Sequence, residues 1–152
     1  GNAAIDLLTC VPPQLVISGH ALVADWYAEW GYSVWDGTSE TTRRTLPKSV
    51  EDMRIVQYDS CRGLEGWSVI NFDIDKLYDY KLSRWERPSD GYPSYADEDA
   101  LAKRYAARWL MIPTTRAIDT LVLHIRSRSS YIGEKLWSLY NAYGDIIEWI
   151  NV

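Results

Sequence analysis

The sequence predicts an α/β domain with a mostly parallel central sheet flanked by helices. Two observations carry that expectation. Short apolar runs of strand length alternate along the chain with longer stretches of helical periodicity. The strand-like runs are mostly apolar, as strands read when helices cover both faces of a parallel sheet. A length of 152 residues fits one domain spanning 1–152, with room for a core that needs no staple.

Taken in order, residues 1–13 form a lead-in of no clear type that ends at Pro12-Pro13. Gln14 to Ser18 (QLVIS) has the length and flanks of a buried strand. Ala21, Leu22, Val23, Trp26, Tyr27 and Trp30 then recur at helical spacing, and Gly31 supplies a left-handed cap. Tyr32 to Trp35 reads as a second strand, closed by Asp36-Gly37. Residues 38–52 are polar and irregular. Arg54 to Tyr58 is a third strand; a turn over Cys61 to Gly66 leads into another at Trp67 to Phe72. A short helix follows at 73–82, then a loop over 85–97. Glu98 to Ile112 has the clearest helical pattern, with Leu101, Tyr105, Trp109 and Ile112 on one face. Ile118 to Ile125 is a strand, Ser129 to Tyr143 a helix, and residues 145–150 a last strand or helical turn.

The composition narrows the function classes. A net charge of −5 argues against a module that coats nucleic acid with its whole surface, though not against a local basic path. Arg43, Arg44 and Lys48 form one such cluster, and Arg126 and Arg128 another; both read equally as solvated charge. Eight Trp and eleven Tyr stand against a single Phe. They serve either as an amphipathic core or as exposed stacking surfaces. Cys10 and Cys61, far apart in sequence, read as free thiols of a reducing, cytoplasmic compartment. Neither they nor His20 and His124 have metal-ligand spacing, so no metal site is expected. No apolar run reaches the length of a membrane span. Gly1 in place of an initiator Met reads as a trimmed fragment.

Two segments carry chemistry. In RIVQYDSCRGLEGWSVINF (54–72), a strand enters the turn Arg62-Gly63-Leu64-Glu65-Gly66 and a strand leaves it. The glycines let a ligand approach the main chain, and a carboxylate fixed there can accept hydrogen bonds from sugar hydroxyls. A plain strand–turn–strand with a surface Glu is the alternative. In ARWLMIPTTRAIDTLVLHI (107–125), a helix runs into Thr114-Thr115-Arg116-Ala117 ahead of a strand. An arginine at that junction can bind phosphate oxygens with its planar fork. Capping the helix end or pairing with Asp119 are the alternatives. Parallel sheets bind ligands beyond the carboxyl ends of their strands, so both segments are expected there.

Together the segments resemble a known pair. Gln57-Tyr58-Asp59-Ser60-Cys61-Arg62-Gly63-Leu64-Glu65 resembles motif V of UvrD/Rep-type superfamily 1 DNA helicases, Thr-x-His-x-x-Lys-Gly-Leu-Glu. Arg108 through Asp119, with Thr115-Arg116-Ala117-x-Asp119 intact, resembles their motif VI. From average residue usage, a chance Lys/Arg-Gly-Leu-Glu in a chain of this length has odds of about one in a hundred. The order and spacing of the two motifs also fit. Four departures bear on the site: Gln57 and Asp59 stand for Thr and His, Met111 for Tyr, and Pro113 for Ala. Pro113 is expected to end its helix early.

The resemblance implies a three-layer RecA-like domain of the P-loop NTPase type, the C-terminal one of two that enclose ATP. Arg116 would be the arginine finger at the γ-phosphate, Glu65 would contact the ribose, and Gly63 would permit the close turn. Asp59, Ser60 and Arg62 would lie along single-stranded DNA. ATP and Mg2+ would be bound with the N-terminal RecA-like domain of the same protein, the main partner, and no membrane is involved. No Gly-x-x-x-x-Gly-Lys-Ser/Thr loop occurs in the chain. The fragment alone is therefore expected to hold no cofactor, hydrolyse no ATP and unwind no DNA. The competing expectation is a degenerate RecA-like module that binds a protein partner or regulates without ATPase activity.

Overall fold

The computed structural model describes residues 6–13, 20–87 and 97–151, with the side chains of 20–22 left aside. Five strands form one all-parallel sheet in the order β2-β3-β1-β4-β5: β1 Leu7–Val11, β2 Val34–Asp36, β3 Met53–Gln57, β4 Gly66–Asn71 and β5 Ala117–Leu123. Helices α1 (His20–Glu29), α2 (Ile74–Ser83), α3 (Glu98–Thr114) and α4 (Tyr131–Ala142) flank it. The arrangement is consistent with a RecA-like three-layer fold.

The layers follow from strand alternation. On β1 and β3, Val11, Met53 and Ile55 point to one face and pack with Val23 and Tyr27 of α1. Leu8, Cys10 and Val56 point to the other, joined by Val69 of β4 and Leu77 of α2. A third cluster, Ile74, Tyr78, Ala106 and Ile132, locks α2, α3 and α4 together.

Three features depart from expectation at the start of the chain and in α3. The central strand β1 lies inside the stretch expected to be a lead-in, because Leu7–Val11 is the apolar run that pairs with both β3 and β4. The strand expected at Gln14 to Ser18 lies outside the described residues, as does most of the loop expected over 85–97. In α3 the fully buried positions are Ala106 and Pro113, whereas Leu101, Tyr105 and Trp109 are half-buried. The core face is thus rotated from the larger side chains, since α2 packs closest where α3 is smallest. Pro113 does not end the helix early; it sits in the last turn, where the helix runs on to Thr114.

Covering is also uneven. β5 is an edge strand whose residues 118–122 are exposed, so burial on both faces holds for the central strands and not for the whole sheet. Among the eight Trp none is fully buried, and the core rings are Tyr27, Tyr58 and Tyr78. Residues 144–146 form a turn, and the irregular stretch after it folds Trp149 against Trp137 of α4, ring centroids 4.9 Å apart.

The helix ends are legible locally. Gly31 at φ +82 closes α1 with Tyr32 N–H donating to Tyr27 O, the double-bonded cap that glycine favours. The Asp97 carboxylate accepts from the N–H groups of Asp99 and Ala100 at the start of α3, and Ser130 accepts from Gly133 N–H at the start of α4.

Candidate nucleotide and nucleic-acid interface

The link between β3 and β4 decides where the site lies. Both strands flank β1 and run parallel to it, so residues 58–65 must return from the carboxyl end of β3 to the amino end of β4. Parallel strands usually need a dozen or more residues for this, most often a helix. Here a 3-10 turn (Tyr58–Ser60) and an extended stretch suffice, because eight residues can reach up to about 28 Å. The return path crosses the α2/α3 face of the sheet. Tyr58, Cys61 and Leu64 point inward and fill the core there, while Asp59, Ser60, Arg62 and Glu65 are left outside.

This crossing overturns the expected placement. Glu65 precedes β4 and Arg116 precedes β5, so both sit at the amino edge of the sheet, opposite the carboxyl ends. There the two motif-like segments meet. Gly66 N–H donates to Arg116 O at 3.1 Å, and Leu64 and Ala117 pack on the same core cluster.

Each residue is held for a local reason. Gly63 has φ +77, a left-handed conformation that a Cβ resists, and open space surrounds the position a Cβ would take. A Cβ on Gly66 would stand 3.0 Å from the Leu8 Cβ and 2.9 Å from Ser68 O, so close backbone packing requires glycine there. The carbonyl of Glu65 accepts from Arg54 Nη2 at 2.7 Å, and Arg54 also pairs with Asp6 at 2.6 Å. The Glu65 carboxylate is exposed and makes no hydrogen bond among the described residues. Arg116 folds back on its own helix: Nε donates to Ile112 O at 3.0 Å and Nη2 donates to Thr115 Oγ1 at 3.0 Å. It does not pair with Asp119, whose carboxylate accepts from Thr120. Among the described residues Nη1 has no hydrogen-bond partner.

The residues expected along DNA are divided. Ser60 is exposed. Asp59 pairs with Lys81 of α2 at 2.8 Å, which neutralises its charge. The Lys81 ammonium is almost wholly buried and lies 3.6 Å from the centroid of the Trp109 ring; Arg62 lies 5.3 Å from the same centroid. Asp59 and Arg62 are therefore tied into α2 and α3 through one indole.

Cys10 and Cys61 come together beneath this turn, despite their distance in sequence, and both are free and buried. The neighbouring Cys61 sulfur, along with burial, pushes the Cys10 thiol far up. The Cys61 thiol donates to Tyr58 O at 3.1 Å; its Cys10 neighbour and the charge of Arg116 hold it below the ordinary thiol range against its burial.

Two clusters gave no motif in sequence. At the carboxyl ends of β4 and β5, the wholly buried Asp73 lies 2.8 Å from His124 Nδ1 and accepts from Arg126 Nε at 2.8 Å. Burial works to raise its carboxyl, but the closeness of His124 and the bond from Arg126 outweigh it and hold the group below its ordinary value. Asp75 beside it accepts from the N–H groups of Arg126 and Ser127. The second cluster is a cavity between the end of α2 and α3, where arginines from both elements converge. Its two parts, residues 84–86 and 101–108, lie apart in sequence, so only the helix pairing reveals it.

Among the described residues no helix is long and apolar enough to cross a membrane. Comparison of the chain with family models, curated proteins and solved structures returns no match.

Proposed function

We propose that this chain is the C-terminal RecA-like domain of an ATP-dependent DNA helicase or translocase. It would supply the Arg62–Gly66 turn and Arg116 to an ATP site completed by a preceding domain. The observation that carries the reading is the meeting of Glu65-Gly66 with Arg116 at one sheet edge. The available groups fit a nucleotide: an unbonded carboxylate at Glu65, open space over Gly63, and free Nη1 donors on Arg116.

The amino edge carries further support. Leu46 and Val50 precede β3, Met111 precedes β5, and Trp67 and Ile118 are the second residues of β4 and β5; all five are large, apolar and exposed, Val50 to 90%. Apolar residues grouped at one edge around a polar site suit a surface that another domain covers. In that assembly Glu65 would accept from ribose hydroxyls. Magnesium, held by carboxylates of the other domain, would neutralise phosphate charge. Arg116 would leave its bonds to Ile112 and Thr115, at a cost of about 1–3 kcal/mol, for charge-assisted bonds to the γ-phosphate. That exchange couples phosphate binding to the end of α3, and domain closure would transmit it to a DNA strand at Ser60 and Arg62.

The test is hydrolysis by the whole protein that contains this chain, with ATP and 2′-deoxy-ATP, with and without single-stranded DNA. We expect DNA to raise the rate, and Glu65→Ala to raise KM and erase discrimination between the two nucleotides. Absence of hydrolysis would favour a degenerate module that acts through a protein partner. Unchanged discrimination in the variant would remove Glu65 from the site.

A further inference from the structure

Arg84 closes α2, and Arg104 and Arg108 lie one turn apart on α3. All three are exposed and line one cavity of about 320 Å³, together with Trp85 and Tyr105. The α3 part is a stripe at i, i+3, i+4 and i+7: Leu101, Arg104, Tyr105 and Arg108. Among the described residues none of the three arginines makes an ion pair or a side-chain hydrogen bond. Placing Arg104 and Arg108 four apart costs helix stability, since like charges at that spacing repel. Glu86 is the single carboxylate on the lining. A chain of net charge −5 therefore concentrates unpaired positive charge in one concavity.

We infer that this cavity is a second nucleotide-binding site, which takes a phosphate ester on its arginines with the attached planar base against Trp85 or Tyr105. Guanidinium forks match phosphate oxygens, and an aromatic wall accepts any base by stacking. An acidic peptide matches the charge but leaves the aromatic wall unused. The volume falls within the roughly 300–1,000 Å³ of small-ligand sites. The site is separate from the Glu65–Arg116 edge: Arg108 is two turns up α3 from Arg116, about 12 Å of rise. It depends on no partner domain, so it stands or fails independently of the shared ATP site. The same chemistry is offered by a free mononucleotide and by a nucleic-acid strand. Arg62 over Trp109 extends the basic, aromatic surface toward the β3–β4 link, in the direction a strand would follow.

The experiment is amide and indole NMR of the 152-residue chain, titrated with thymidine 5′-monophosphate, thymidine and thymidine oligomers. Fluorescence anisotropy with a labelled 12-mer runs beside it. We expect the Trp85 indole and the 101–108 amides to shift with the monophosphate and not with thymidine. Trp85→Ala and the double variant Arg84→Ala/Arg104→Ala should each weaken binding at least about tenfold. These side chains bear on no core contact, and an unchanged amide spectrum shows that the variants remain folded. Arg104→Lys should retain part of the affinity, as charge without the fork. Affinity that rises with oligomer length identifies a strand as the ligand, and equal affinity identifies the mononucleotide. Shifts confined to residues near Glu65 and Arg116 would overturn the inference. So would variants that bind as wild type, or equal shifts from an oligoglutamate peptide.

Discussion

At residue scale, the β3–β4 turn is tuned by backbone as much as by side chains. Gly63 meets no neighbour, so Gly63→Ala isolates the conformational cost of φ +77. Chemical denaturation should show a loss of about 1–2 kcal/mol, from the penalty for left-handed backbone. Asp73 makes the converse case. Its φ of 54 is a conformation asparagine tolerates, so Asp73→Asn removes the charge without adding strain. The carboxyl of Asp73 is held below its ordinary value in the fold. Its stabilisation is therefore present in full above the unfolded carboxyl range near pH 4 and is lost as pH falls through the lower folded value. Asp73→Asn should cost about 1–3 kcal/mol at neutral pH. It should also flatten the stability profile below pH 4, as read by denaturation at stepped pH; an unchanged acid profile would show that Asp73 is not the titrating group.

At the scale of elements, α3 explains which parts of the fold the sequence discloses. Its existence, its Asp97 cap and its approach to Arg116 are local properties, legible from periodicity and capping residues. Asp97→Ala should lower stability by about 1 kcal/mol, measured by thermal unfolding. Its buried face is not a local property. Periodicity favours Leu101, Tyr105 and Trp109, but α2 packs against the small Ala106, and the larger rings are displaced to the rim, where Trp109 receives Lys81 and Arg62. The same reason hid the strand at Leu7–Val11. Four apolar residues around Thr9, before two prolines, have no periodic signature, and only pairing with β3 and β4 makes them central. The motif residues Gly63, Glu65 and Arg116 were legible as types and spacing. Their edge of the sheet was not, because it depends on residues 58–65 crossing back beneath α3. Lys81→Met should be nearly neutral in stability, since an apolar chain can replace the buried stem and ammonium, and it should free Asp59 to repel an oligonucleotide. A large stability loss would show that the Asp59–Lys81 pair holds the turn in place.

At the scale of the molecule, the two edges of the sheet differ in kind. Among the described residues, the carboxyl ends of β4 and β5 are tied by the ion pairs of Asp73 and by the backbone N–H groups that Asp75 accepts. The amino edge exposes apolar side chains around an unbonded carboxylate and a partly free arginine. If another domain seats there, Ile118→Lys should leave the stability of the chain within about 0.5 kcal/mol, as exposed substitutions do. The same change should lower hydrolysis by the whole protein. Equal hydrolysis would mean that the amino edge faces solvent.

The central claim is that Arg116 completes an ATP site, and its most direct test is the steady-state ATPase rate of the whole protein beside its Arg116→Ala variant, with saturating single-stranded DNA. The structure predicts an intact fold, because only two hydrogen bonds at the end of α3 are removed. The reading predicts a fall in rate of at least about a hundredfold, as loss of an arginine finger produces. A variant that hydrolyses ATP at the wild-type rate would contradict it and leave Arg116 as the cap of its helix.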